Sequence, residues 1–285
     1  MRQQEALLGY SLVLPTVALV SLIIFYPVLY SVYLGFTQTS LDPGILPRFV
    51  GLENYRGVLT DPDFWRALGT TLIYTMWTVV GGTLLGLAVA ILMNRPFRGR
   101  GLARGIVLMP YVAPVISLVF AWRYIFHPVY GFANYWLVDI IPIFDAPRNW
   151  IDSPAYALPM VILFDIWRQF PFAFLMILAR LQSIPSSLYE AAEMDGAGGW
   201  AKFRGVTLPE LSFVIGSVVV LRWIWNFNKF DEIWLLSKNV QTATVYVYLK
   251  GFQTYHLGEA AATSTVLVAL LIVFVWVYVK KVLKW

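Results

Sequence analysis

The sequence predicts an all-α integral membrane protein with six transmembrane helices. Three observations lead there. Of 285 residues, 59% are hydrophobic and 13% charged, whereas soluble domains run near about 45–50% apolar and about 25% charged. Six segments approach or exceed the roughly 20 mostly apolar residues that span a bilayer core. Lys and Arg gather in alternate connections between those segments, which is how topology is written into loops. A mean hydropathy of +0.68 agrees. The net charge of +5 follows from basic residues beside apolar spans and does not call for a nucleic-acid partner. Cysteine is absent, which excludes disulfides and thiolate chemistry. No P-loop, H-E-x-x-H or dinucleotide fingerprint is present, so any energy source lies outside this chain.

The spans in order are about 8–36, 69–93, 105–126, 155–181, 211–236 and 260–283. The first is too long for a signal-peptide core and lacks a small-residue cleavage pattern, so it reads as a retained helix. Turn signals follow at Asp42-Pro43-Gly44 and Asp61-Pro62. The connection after the second span, "NRPFRGRGLAR", carries Arg95, Arg98, Arg100 and Arg104 and no acid. Pro110 and Pro114 should kink the third span. Trp122, Tyr124, Tyr130, Tyr135, Trp136 and Trp150 collect near its outer end as an interfacial belt. His127 reads as a surface histidine.

Arg2, the arginine-rich connection, Arg180, Lys202 and Arg204 around residues 182–210, and Lys280, Lys281 and Lys284 fall on one side of a six-span chain. The positive-inside rule makes that side the cytoplasm, with both termini in it. The opposite connections mix Arg48, Arg56, Arg66 and Arg148 with acids such as Asp42, Glu53, Asp61 and Asp152.

Residues 182–210 form a polar connection of defined design. Ser187 followed by Glu190 reads as a capping box, so a short helix is expected from about Leu188 to the Gly196-Ala197-Gly198-Gly199 run, where left-handed backbone is cheap. Ala192 and Gly196 share one face of it, as do Ala191 and Asp195. Small residues there admit the close approach of another backbone.

The longer pattern resembles the signature loop of ABC importer permeases: Glu190-Ala191-Ala192, then Gly196, then Val206, Leu208 and Pro209 at the family's spacing, with Val in place of the commoner Ile. "FYPVLYSVYLGFT" (25–37), "FVGLENYRGVL" (49–59), "ILMNRPFRGRGLAR" (91–104), "LQSIPSSLYEAAEMDGA" (181–197) and "KFDEIWLLS" (229–237) are similar to the carbohydrate-uptake branch, the maltose and glycerol-3-phosphate type, first permease subunit. The resemblance implies a type I importer permease fold in a bacterial inner membrane and a single transmembrane domain over 1–285. It implies a second permease subunit and an extracytoplasmic sugar-binding protein. It also implies two cytoplasmic ATPase subunits, which bind the ATP and Mg. Carried over by motif position, Glu190, Ala191, Ala192, Asp195, Gly196, Leu208 and Pro209 form the coupling segment that docks on an ATPase. No cofactor and no catalytic residue is expected in this chain.

Polar groups inside a span are costly and face a cavity or pair up. On a helical wheel the fifth span collects Arg222, Trp225, Asn226, Asn228, Lys229 and Glu232 on one arc. The fourth collects Asp165, Arg168, Gln169, Phe172 and Met176. Two readings stand side by side. Gln169, Phe172, Trp225, Asn226 and Asn228 suit a sugar path of amides and aromatic rings. Asp165, Arg168, Arg222 and Lys229 suit charge pairing between helices, with Asp165 and Arg168, three apart, neutralising each other. An importer of a non-sugar solute and an ion-driven secondary transporter are the alternatives. The latter wants a buried acid relay or a repeat, and only Asp165 is a clear mid-span acid. An intramembrane enzyme lacks metal-ligand spacing and a second such acid.

Overall fold

The structure, a computed structural model, describes residues 2–42, 44 and 46–283. Pro43 of the first turn signal and Lys284 of the basic C-terminus lie outside the described residues. The chain divides into two compact units, residues 1–67 with 243–270 and residues 68–242 with 271–285.

In the first unit, α1 (Arg2–Val20) passes through a π-helical turn, Ser21–Phe25, into α2 (Tyr26–Leu34). Pro27 near the start of α2 explains the widened turn. Its ring collides with the carbonyl four residues back and it has no N–H to give. A two-residue antiparallel pair follows, β1 (Thr37–Gln38) on β2 (Arg48–Phe49), with Thr37 opposite Phe49. Then come α3 (Glu53–Thr60) and the start of α4 (Pro62–Asn94). Asn54 ties α3 to this hairpin by donating to the carbonyls of Gly35 (3.0 Å) and Thr37 (2.9 Å).

The second unit holds most of α4, then α5 (Arg100–Val112), α6 (Val115–Ile125), the short α7 (Phe132–Asn134) and α8 (Ala157–Ser183). After these come α9 (Ser186–Met194), α10 (Gly199–Lys202), α11 (Leu208–Phe227) and α12 (Asp231–Leu236). The chain re-enters the first unit at α13 (Ala243–Tyr248). It leaves along α14 (Leu257–Tyr278), which ends in a π-helical turn, Val279–Leu283.

Among the described residues five helices are long and apolar enough to cross a membrane, and the pair α5–α6 supplies a sixth crossing if it acts as one span. That pair corrects the expectation of a single kinked helix over 105–126. It bends by 93°, and the cause is Pro114. Ala113 before it is extended (φ −65°, ψ 144°), as a residue preceding proline is driven to be. Pro110 stays inside α5. The fifth span also differs. Its helix ends at Phe227, and 228–230 form a break before α12, so the wheel drawn on through Glu232 holds only to Phe227.

The core of the second unit is a stripe of α8. Phe170, Ala173, Phe174, Ile177, Leu178 and Leu181 pack with Ala90 of α4 and Leu211 and Val218 of α11. Recurrence at three and four residues is what one buried face of a helix requires. Within the first unit a polar cluster joins α3–α4, α13 and α14. Tyr246 donates to Asp61 (2.6 Å), and Lys250 lies 3.5 Å from Asp61 and 3.1 Å from Glu259. The Tyr246 hydrogen bond holds Asp61 below the usual carboxylate value. Burial, then the bond to Asp61, pushes Tyr246 up to about 12.

Candidate functional site: a coupling helix and a polar patch between spans

The polar connection folds as a short helix closed at its C-terminus by glycine. Gly196 is left-handed (φ +77°), which glycine adopts without a Cβ penalty. Its N–H reaches Glu193 O (2.9 Å), and Ala197 N–H reaches Ala192 O (2.9 Å). Those two bonds are the Schellman closure, and they satisfy carbonyls that the helix end would orphan. The N-terminus differs from expectation. The helix opens at Ser186 with Pro185 as its cap, and no side-chain cap bond is made. The Ser187–Glu190 capping box is therefore absent, because Ser187 already lies inside the first turn. Glu190 is left exposed, as are Ala191, Asp195 and Gly196, with Ala192 half-buried. Two apolar side chains missed by sequence reasoning stand beside them: Met194 is 88% exposed and Trp200 73%. Both lie directly around the motif in sequence, which was the signal available for them. The opposite side of α9 is anchored, with Tyr189 packed on the core of the second unit. Leu208 and Pro209 begin α11, where proline's missing N–H is harmless.

The spans that flank this connection, α8 and α11, carry the charged residues. Asp165 is fully buried and accepts from three donors: Tyr74 of α4, Gln169 (3.2 Å) and Lys229 (3.2 Å). Arg168 pairs with Glu232 at 2.8 Å, and Lys229 lies 3.4 Å from the same carboxylate. The expected Asp165–Arg168 pair is thus not made. The break at 228–230 lets Lys229 and Glu232 fold back on α8, and each acid takes a cation from another element. Buried ions need such partners, because desolvation is otherwise uncompensated.

Arg222 is 0% exposed and donates to Thr78 O at 3.2 Å. Its guanidinium lies against Gly82, where any Cβ would overlap it. Asn226 is buried beside it and donates to Thr78 Oγ1 (3.1 Å). Arg222 Nε and Nη1 and Asn226 Oδ1 make no hydrogen bond among the described residues. Tyr74 and Thr78 were missed, and their signal was a polar stripe in the second span. Thr71, Tyr74, Thr75 and Thr78 recur at helical spacing, and all four are buried.

Beside this network lies an aromatic patch. Trp225 meets Phe172 edge-on, with centroids 5.0 Å apart, and Tyr111 of α5 lies 6.4 Å from Phe172. Trp225 and Tyr111 are 43% and 37% exposed. Gln169 is buried behind them on Asp165. Asn228 is exposed and turns back on its own helix, donating to Ile224 O (2.9 Å). Among the described residues no group of His, Cys, Asp or Glu is arranged to hold a metal.

Comparison with known proteins shows the family and the fold. The chain is 46% identical over 256 residues to the inner membrane ABC transporter permease protein YcjO of Escherichia coli K12, covering 90% of this chain and 87% of that one. It is 34% identical to the trehalose/maltose transport system permease protein MalF of Thermococcus litoralis, covering 98% and 95%. It is 35% identical to the sulfoquinovosyl glycerol transport system permease protein SmoG of Agrobacterium fabrum, covering 97% and 90%. Its fold matches a chain in the crystal structure of a bacterial ABC transporter involved in the import of the acidic polysaccharide alginate. That match has a TM-score of 0.86 and 21% identity, and covers 99% of this chain and 96% of that one. Residues 82–283 match the family described as binding-protein-dependent transport system inner membrane components, and the chain belongs to that family, the permeases of ABC importers.

Proposed function

We propose that this chain is one of two permease subunits of a sugar importer, with α9 as its docking element for a cytoplasmic ATPase. The observation that carries the reading is the tip of α9. Small Ala191 and Ala192, the glycine closure at Gly196 and the exposed Met194 and Trp200 form a compact surface on a helix anchored to the core. ATP and Mg belong to two ATPase subunits, and a sugar-binding protein delivers cargo on the far side of the membrane. The basic connections and both termini face the cytoplasm. The chain moves a solute and performs no chemistry on it.

The sugar path runs past Trp225, Phe172 and Tyr111. Aromatic faces hold the apolar faces of a pyranose ring. Gln169 and Asn226 set the polarity behind them, while Asp165, Lys229, Arg168 and Glu232 hold the two spans in register. The names of the relatives, a trehalose/maltose permease and a sulfoquinovosyl glycerol permease, support a carbohydrate cargo. The test is transport in proteoliposomes holding the whole complex with Trp225→Ala or Phe172→Ala. Sugar uptake falls several-fold while all subunits still co-purify. Wild-type uptake kinetics in both variants would remove these rings from the path.

A further inference from the structure

A docking helix transmits work only if it is joined to what it moves. Arg180 lies in the last turn of α8 and Glu210 in the first turn of α11. One guanidinium holds both ends of the coupling connection. Arg180 Nε donates to Glu210 O (3.1 Å), Nη2 to the Glu210 carboxylate, and Nη1 to Ser183 Oγ (3.2 Å). The planar fork of arginine suits such a multi-point clasp, which a lysine does not reproduce. The charges also lie where the helix dipoles favour them, a cation at a C-terminus and an acid at an N-terminus. A second tie comes from α9 itself. Tyr189 packs on the core cluster that includes Leu181, Ile184 and Leu211, and its hydroxyl meets Thr207 Oγ1 at 3.0 Å, one residue before α11.

We propose that Arg180–Glu210 and Tyr189–Thr207 form a transmission joint, so that α9 and the inner ends of α8 and α11 move as one rigid piece. The proposal builds on the docking role given to α9 above. The four residues are positioning residues. They lie on the anchored side of the connection, away from the exposed tip, and their loss leaves docking intact while freeing the tip from the spans.

Two readouts on the complete transporter test this, and neither needs a known cargo. The first is the spacing of spin labels at Ser187→Cys and Phe213→Cys. The chain has no cysteine of its own, so a complex whose other subunits lack reactive thiols reports that pair alone. In the parent protein the spacing is narrow, and between the nucleotide-free and ATP–vanadate states it shifts by no more than the ~1–2 Å of packed helices. In Arg180→Ala/Tyr189→Phe it broadens and becomes nucleotide-dependent. The second is ATP hydrolysis with neither solute nor binding protein. It rises about five-fold in the double variant, the factor equivalent to losing a contact of about 1 kcal/mol, because the ATPase pair closes without moving the spans. The charge reversal Arg180→Glu/Glu210→Arg restores both readouts relative to Arg180→Glu alone. Parent-like spacing or a parent-like basal rate in the double variant overturns the joint. Loss of the ATPase subunits from the double variant also overturns it, since the joint is defined as separate from docking. Failure of the docking role assigned to α9 shows elsewhere, as retention of the ATPase subunits by Gly196→Val.

Discussion

Gly86 tests the packing on which the candidate site depends. A Cβ built there stands 2.7 Å from Ala173 Cβ and 2.8 Å from the backbone N of Phe174. Neither neighbour can rotate away, so Gly86→Ala must push α4 and α8 apart. Overpacking of a filled core costs about 1–3 kcal/mol, and alanine returns up to ~1 kcal/mol of helix propensity. With the full propensity gain the net expectation is a loss of up to about 2 kcal/mol. Gly69, on the same helix, is the control. No heavy atom lies within 4 Å of its Cβ position, so Gly69→Ala keeps only the propensity gain, up to about 1 kcal/mol. The assay is the chemical unfolding midpoint of purified protein in micelles, followed by circular dichroism. Opposite signs for the two variants are expected. Gly86→Ala at or above the parent midpoint would refute the packing argument, because it would mean that α4 and α8 have slack at their closest approach.

The remaining predictions concern the coupling helix and the polar cluster of the first unit. Gly196→Val places a β-branched side chain at φ +77°, where even ordinary residues lose roughly 1–2 kcal/mol. It should fray α9 and lose the ATPase subunits on co-purification, while Gly196→Asn, which tolerates that backbone, retains most of them. Glu190→Ala should weaken the same association without unfolding α9, since Glu190 makes no cap bond, and parent-like association and uptake would remove it from the interface. Tyr246→Phe should raise Asp61, whose value is lowered chiefly by the tyrosine hydroxyl. A lowered carboxylate stabilises above its unfolded value of 3.8 and loses that contribution as pH falls through its folded value. The variant should therefore begin to lose stability at a higher pH on the acid side. Tyr246 itself is raised, so its contribution is complete below 10.0 and fades as pH climbs toward about 12. A tyrosinate absorbance titration should lose a component at about 12 in the variant. Loss of an ordinary component near 10.0 in its place would reject the Asp61 bond.

The helical spans and the short helix of the polar connection were legible because both are written in local pattern. Apolar runs announce the long helices, and the left-handed requirement at Gly196 announces the end of α9. The capping box misled because Ser187 and Glu190 have the right spacing two residues too late, with Pro185 already standing at the cap. The pairing of the charges was legible only in part: Lys229 does meet Asp165, but Arg168 takes Glu232. A wheel assumes an unbroken helix, and the break at 228–230 swings Lys229 and Glu232 onto α8, so that Asp165 meets Tyr74 and Lys229 in place of Arg168. The right-angled turn at Ala113-Pro114 shows the same limit. Proline says where a helix is interrupted, but the size of the bend, 93° through the extended Ala113, is not written in residue type. Asn226 and Gln169 looked like path residues by type, yet both are buried against Thr78 and Asp165, and the exposed surface beside them is aromatic.

The central claim is that sugar arrival on one side of the membrane and ATP hydrolysis on the other are linked through α9. The most direct measurement is ATP hydrolysis by the reconstituted complex of this chain, its partner permease, the ATPase subunits and the binding protein, across a panel of sugars that includes trehalose and maltose. The account predicts that one sugar-loaded binding protein accelerates hydrolysis several-fold and that Glu190→Ala abolishes the acceleration. An assembled, hydrolysing complex that no sugar-loaded binding protein accelerates would contradict it.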